Sequence, residues 1–305
     1  MRSSLIGAFL LAVTALPAQA QRRRDDGRTY DREPKANLDT TVAIQPGGVV
    51  ALTTREGDIV VHTGTGNRVT VHSASGYGRI RFDASDNRVS VDASDVNGDA
   101  RLEITVPVGT RISAQSREGT VNIQGTKGAV SVRTQNGDVK VQDAAGHIDF
   151  GTLSGDITAS ELNGDVNASS VSGDVVLSSV TGNVSATTVS GNVRLENVTS
   201  HSITAQSTSS DVSFQGIIAP DGRYEFTTHS GDVELAIPPA ASAQLTVSTW
   251  NGSIDSDFPI TLQPGEHGVG IDTGKRFTFN VGGGAARISA ETFSGDVIIR
   301  RRGPK

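Results

Sequence analysis

Glycine returns every nine residues through the middle of this sequence, and that regularity restricts the fold more than any other feature. From Gly119 the glycines fall at 128, 137, 146, 155, 164, 173, 182 and 191. Many sit in a tetrapeptide of polar residue, Gly, Asp or Asn, then Val or Ile, as at 56–59, 136–139, 154–157, 172–175, 190–193, 230–233 and 294–297. Nine residues are too few to close a coil. On both flanks the turns lie about 21 apart, at Gly57, Gly78, Gly98 and Gly119, then at Ser210, Gly231, Gly252, Gly274 and Gly295. Alternate glycines in the middle, Gly119, Gly137, Gly155, Gly173 and Gly191, join the flanks into one series of thirteen turns with steps of 18 to 22 residues. Repeats of this length are stacked units, each burying its apolar side only against its neighbours.

The side-chain phase supports stacking. Two residues after successive turns come Ile59, Val121, Val139, Ile157, Val175, Val193, Val212, Val233 and Val297, and four after come Val61, Ile123, Val141, Ala159, Leu177 and Leu195. Alternation of this kind marks short strands with one face buried. A third position, seven after each glycine of the nine-residue series, holds Leu153, Leu162, Val171, Val180, Val189 and Val198, and is expected to point inward with the others. A strand whose equivalent returns one coil later runs beside it in the same direction. The expected fold is therefore all-β, a parallel β-solenoid of about 13 coils of 18–22 residues. Twelve steps of about 4.8 Å give a stack about 58 Å long. An antiparallel sandwich fits the nine-residue spacing alone, but not the switch between 18 and 21 without loss of apolar phase. The segment 37–56, with Pro46, Gly47 and Gly48, is the expected N-terminal cap of a single domain over 37–300.

The ends read differently. Residues 1–20 place Arg2 before an apolar run from Leu5 to Leu16 and close on Ala18-Gln19-Ala20, the order of a secretory signal peptide. Residues 21–36 are nearly all charged or polar and read as a disordered linker, and 301–305 as a basic tail. The expected location is outside the cytoplasm: periplasm, cell surface or extracellular. No other stretch has the length and apolarity of a membrane-spanning helix. With 27 basic against 33 acidic side chains, a net charge of −6 and no Cys, the chain offers no basic footprint for nucleic acid, no thiol chemistry and no disulfides.

The residues at 42–64, 102–141 and 282–301, including VAIQPGGVVALTTREGDIVVHTG and GGGAARISAETFSGDVIIRR, resemble the bacterial putative-adhesin β-strand repeat family, a domain family of unknown function in exported and envelope-associated proteins. The resemblance implies a repeat architecture and an adhesin-like role, and it carries no catalytic residues to transfer.

Asp follows the turn glycine at 58, 99, 138, 156, 174, 232 and 296, so Asp138, Asp156 and Asp174 stack as a row of like charge. A calcium-binding β-roll is one use of such a row, but that repeat needs two or more glycines per nonad, and Asn183 and Asn192 interrupt the acids here. The expected role is local: Asp and Asn accept backbone N–H bonds two residues on, while Gly57, Gly119, Gly137, Gly155, Gly173, Gly191, Gly231, Gly252 and Gly295 form structural turns. No cofactor is implied. A polysaccharide-acting enzyme needs carboxylates clustered with basic groups. Between 119 and 212 the basic side chains are Lys127, Arg133, Lys140 and Arg194 only. Tyr224, Trp250 and Phe258 make a small aromatic platform or serve as core, the latter being the expected reading. The histidines at 62, 72, 147, 201, 229 and 267 occur singly. The pairs Ser169-Ser170, Ser178-Ser179 and Thr187-Thr188 align as hydroxyl rows suited to water or polysaccharide. The sequence thus points to a non-enzymatic structural or binding module of the cell envelope, with a cell-surface glycan or an envelope protein as partner.

Overall fold

The computed structural model describes residues 37–74, 76–259 and 275–302. The segments expected as signal peptide and linker, together with Gly274, His267 and the residues beyond Arg302, lie outside the described residues. In chain order the strands are β1 (Leu38–Ala43), β2 (Val49–Glu56), β3 (Ile59–Gly64), β4 (Arg68–Ala74), β5 (Tyr77–Ser85), β6 (Arg88–Asn97), β7 (Arg101–Pro107), β8 (Arg111–Glu118), β9 (Val121–Gln124), β10 (Val130–Asn136) and β11 (Val139–Ser154). There follow β12 (Ile157–Ser172), β13 (Val175–Thr181), β14 (Val184–Thr187), β15 (Val193–Gln206), β16 (Val212–Ser230), β17 (Val233–Ile237), β18 (Ala243–Asn251), β19 (Ile254–Ser256), β20 (Lys275–Val281), β21 (Ala286–Ser294) and β22 (Val297–Arg301).

Each central coil runs along one face, turns at a ladder glycine, and returns along the opposite face. Face one holds the strands after the turn and face two those before it. Long strands such as β11 contribute to both faces, pairing with β9 through Val139–Gln142 and with β10 through Ile148–Ser154. Throughout the centre the pairing is parallel, in steps of 18 that match Val139 to Ile157, Ile157 to Val175 and Val175 to Val193. The expected parallel solenoid is what forms. Inward Val, Ile, Leu and Ala from both faces meet in one continuous core.

The order of coils in space departs from their order in sequence at both ends. Near the N-terminus β2 pairs with both β6 and β8, and β3 with both β7 and β9. The segment 49–56, expected within the cap, is an interior strand. The end is closed instead by antiparallel strands, β1 against β4 and β5 against β6, and β5 contains Gly78, which is no rung of the ladder. At the other end β21 lies between β16 and β18, and β22 between β17 and β19. The last coil of the chain is inserted between the two before it. Antiparallel β20 closes face two beyond β18.

Close approach explains the turn glycines. A Cβ on Gly137, Gly173 or Gly191 would lie 2.0–2.1 Å from the carbonyl oxygen of Gly119, Gly155 or Gly173 in the adjacent coil. At those three positions φ is not positive, so contact with the neighbouring coil, and not backbone handedness, excludes a side chain. The contacts also trace the inserted coil: Gly295 sits against Gly231, and Gly252 against Gly295.

The third apolar position splits. Leu162, Val180 and Val198 are buried, whereas Leu153, Val171 and Val189 are 54%, 44% and 44% exposed. The cause is one left-handed residue per coil, at Asp143, Glu161, Ser179 and Asn197, with φ of 54–58°. It inserts a bulge on face one and shifts the alternation by one residue. Face two has no such residue, so the same offset points outward there.

Candidate functional site

Two rows of inter-coil hydrogen bonds fix the lattice on which any surface site is carried. In the first, the carboxylate after each turn accepts the backbone N–H of the equivalent residue in the next coil: Asp138 from Asp156 (3.2 Å), Asp156 from Asp174 (2.9 Å), Asp174 from Asn192 (2.7 Å). The series continues through Asn192, Asp211 and Asp232 to Asp296, which accepts from Ser253 at 2.7 Å. The bond from Ser253 holds the Asp296 carboxyl below the ordinary carboxylate value. The acids therefore bond one coil away, and not two residues on as expected from local turn chemistry. Among the described residues no group of three or more His, Asp or Glu side chains is placed to hold a metal ion.

The second row is inside. Three residues before each turn, Thr152, Ser170, Thr188, Ser207, Thr228, Thr292 and Thr249 donate to the turn carbonyls of Gly137, Gly155, Gly173, Gly191, Ser210, Gly231 and Gly295. The expected hydroxyl pairs are thereby divided. Ser170 and Thr188 are buried, Ser169 and Thr187 look outward on face two, and Ser179 is an exposed bulge residue on face one.

Rigidity of this kind aligns the residue two before each turn into an exposed row along face two. In spatial order it reads Arg117, Gln135, Leu153, Val171, Val189, Thr208, His229, Phe293 and Trp250. The aromatic end is stacked: His229 and Phe293 have ring centroids 4.8 Å apart with planes 11° from parallel, and Phe293 and Trp250 6.0 Å and 9°. Near-parallel planes at these centroid distances are the offset stacks that aromatic pairs favour over a face-to-face sandwich. Phe293 is 45% exposed and Trp250 41%.

Beside the rings, face two is polar. A depression lined by Thr227, Ser248, Trp250, Arg276, Glu291 and Phe293 adjoins a second one lined by Arg223, Glu225, Gln244, Arg276, Arg287 and Ser289, and Arg276 borders both. Stacking surface, hydroxyls, amide and guanidinium groups are the contacts by which a flat protein surface holds a polymer of hydroxylated rings.

Tyr224 and Phe258 are core, as expected, whereas Trp250 is exposed and belongs to this row. Tyr224 is buried with its hydroxyl donating to the Ser200 carbonyl at 2.6 Å, and burial pushes its phenol above the ordinary value. Phe258 is buried beneath the Arg301 guanidinium, 5.1 Å from its ring centroid. Sequence reading missed His229 and Phe293. A signal was present in the segments Thr228-His229-Ser230-Gly231, Thr292-Phe293-Ser294-Gly295 and Thr249-Trp250-Asn251-Gly252, which share Thr, an aromatic ring, a polar residue and Gly. Among the described residues His72 lies 3.7 Å from Asp39, His201 3.6 Å from Asp221, and β7 separates the strands of His62 and His72.

A family model described as Toastrack DUF4097 matches residues 102–300. No curated protein matches the sequence. Among solved structures, that of a putative adhesin from Bacteroides fragilis NCTC 9343 is 11% identical, with 88% of this chain and 98% of that one covered and a TM-score of 0.40. That of a putative cell adhesion protein from Clostridium sporogenes ATCC 15579 is also 11% identical, covering 87% of this chain and all of that one at a TM-score of 0.20.

Proposed function

The chain belongs to the Toastrack DUF4097 family, and from that premise we propose that it is an exported, non-enzymatic binding module of the bacterial cell envelope that holds a glycan polymer along face two. The observation that carries this reading is the stacked row of His229, Phe293 and Trp250, exposed beside a hydroxyl- and amide-lined surface. An exposed aromatic row on a lattice stabilised from within has no packing role to explain it, and large rings left in water mark interaction surfaces. The signal-like residues 1–20 support export, and the solenoid supplies a long, stiff platform.

The test is retention of the full chain on immobilised bacterial cell-wall polysaccharide, compared with W250A and F293A. Both variants are expected to lose most of the retained protein while keeping the wild-type unfolding midpoint within a degree or two. Unchanged retention in both would refute the assignment of the site. Shortening of the polymer during incubation would refute the non-enzymatic reading.

A further inference from the structure

Resting on that reading, we propose that the polymer is an acidic polysaccharide whose carboxylates are held by Arg223 and Arg287. These two arginines are register partners on the neighbouring strands β16 and β21, and both are exposed on face two. Like charges directly opposite on neighbouring strands are destabilising. Some other outward arginines meet acids: Arg133 with Asp149, Arg81 with Asp92 and Asp95, Arg300 with Asp255 and Asp257. Among the described residues Arg223, Arg276 and Arg287 make no such pair. Glu291, the nearer carboxylate to the rings, accepts the Ser289 hydroxyl at 3.0 Å. Three cations against two carboxylates, Glu225 and Glu291, thus line the two depressions beside the exposed rings.

The chemistry follows from the shapes. A guanidinium presents two parallel N–H donors that match a planar carboxylate, and an anion set between Arg223 and Arg287 relieves their mutual repulsion. Gln244, the register partner of Arg287, extends the row with an amide that both donates and accepts. The row lies six residues along the strands from His229 and Phe293, about 20 Å at 3.3 Å per residue. Arg276, on β20, borders both depressions between these limits. A ligand that touches the rings and both arginines is therefore an oligomer of several units with anionic groups along its length, which fits a polyuronate.

The experiment is calorimetric titration of the full chain with oligogalacturonate and with a cello-oligosaccharide of the same length, at low and high NaCl, for wild type, W250A and the pair R223Q/R287Q. Expected are binding of oligogalacturonate that weakens as NaCl rises, a loss of at least tenfold in R223Q/R287Q, and weakened binding in W250A. If the neutral oligomer binds as tightly and R223Q/R287Q changes nothing, the acidic class is overturned while glycan binding stands. If wild type binds neither oligomer, both readings fall. The NaCl series on wild type decides the matter even where a variant does not fold.

Discussion

Replacing Gly173 with Ala tests whether the turns are glycine because of the neighbouring coil. The added Cβ would lie 2.0 Å from the Gly155 carbonyl oxygen. A carbon and an oxygen in ordinary contact keep about 3.3 Å, so the two turns must separate by about 1.3 Å. Three hydrogen bonds cross that gap: the Ser170 hydroxyl to the Gly155 carbonyl at 3.2 Å, the Gly155 N–H to the Ser172 carbonyl at 3.1 Å, and the Asp174 N–H to the Asp156 carboxylate at 2.9 Å. A shift of that size takes each beyond useful length. At about 1 kcal/mol apiece the loss is about 3 kcal/mol. Gly146 provides the contrast, since it has φ of +89° and nothing within 4 Å of its added Cβ. Gly146→Ala therefore costs only the unfavourable backbone conformation, about 1–2 kcal/mol. Urea unfolding followed by circular dichroism measures both, and amide exchange at Asp174 and Asn192 shows whether the damage is local. A Gly173→Ala cost below that of Gly146→Ala would refute the close-approach argument.

The buried hydroxyl row makes its own prediction. Thr188→Val removes the 3.0 Å bond to the Gly173 carbonyl and is expected to cost about 1–2 kcal/mol, whereas Thr134→Val is expected to be neutral or mildly stabilising because its buried Oγ1 has no partner. Urea midpoints decide between them. In the outer row, Asp174→Asn is expected to be tolerated because Asn192 already accepts from Asp211 in the same way, while Asp174→Ala loses an acceptor and about 1 kcal/mol. Asp296, with its pKa lowered in the folded chain by the Ser253 N–H, stabilises fully above the ordinary value of 3.8 and loses that contribution as pH falls below it. Unfolding midpoints from pH 5 to pH 2 are expected to fall less steeply for Asp296→Asn than for wild type. Trp250 is the sole tryptophan, so glycan binding is expected to change intrinsic emission, and no change at saturation would place the ligand elsewhere.

Period-two alternation and turn spacing made the parallel solenoid legible, because both arise from local geometry that every coil repeats. Coil order was not legible, and the repetition is the reason. The turn sequences around Gly231, Gly252 and Gly295 are near copies, so nothing local distinguishes the partner of β16, and packing over the whole end selects β21. The Asp row was misread for a related cause: the same side chain serves a bond two residues away or one coil away, and only stacking tells which. Leu153, Val171 and Val189 were assigned inward because the two halves of a coil have equal length. The bulge at Asp143, Glu161, Ser179 and Asn197 breaks that equivalence without leaving a glycine to announce it. Trp250 was noticed as an aromatic, but its neighbours were hidden, since Phe293 comes between it and His229 only when the last coil is inserted.

That insertion makes the surface row depend on a segment distant in sequence. In synthesis from the N-terminus, His229 and Trp250 are made first and have no ring between them. The coil that supplies Phe293 is made after them and enters between their strands, joining β16 to β18 and β17 to β19 as it does so. A chain cut short before Ala286 keeps its repeats and most of its core but lacks the middle ring and Arg287 together. The inserted coil is thereby a keystone: the aromatic row and the arginine pair are completed in one step, by the same strand.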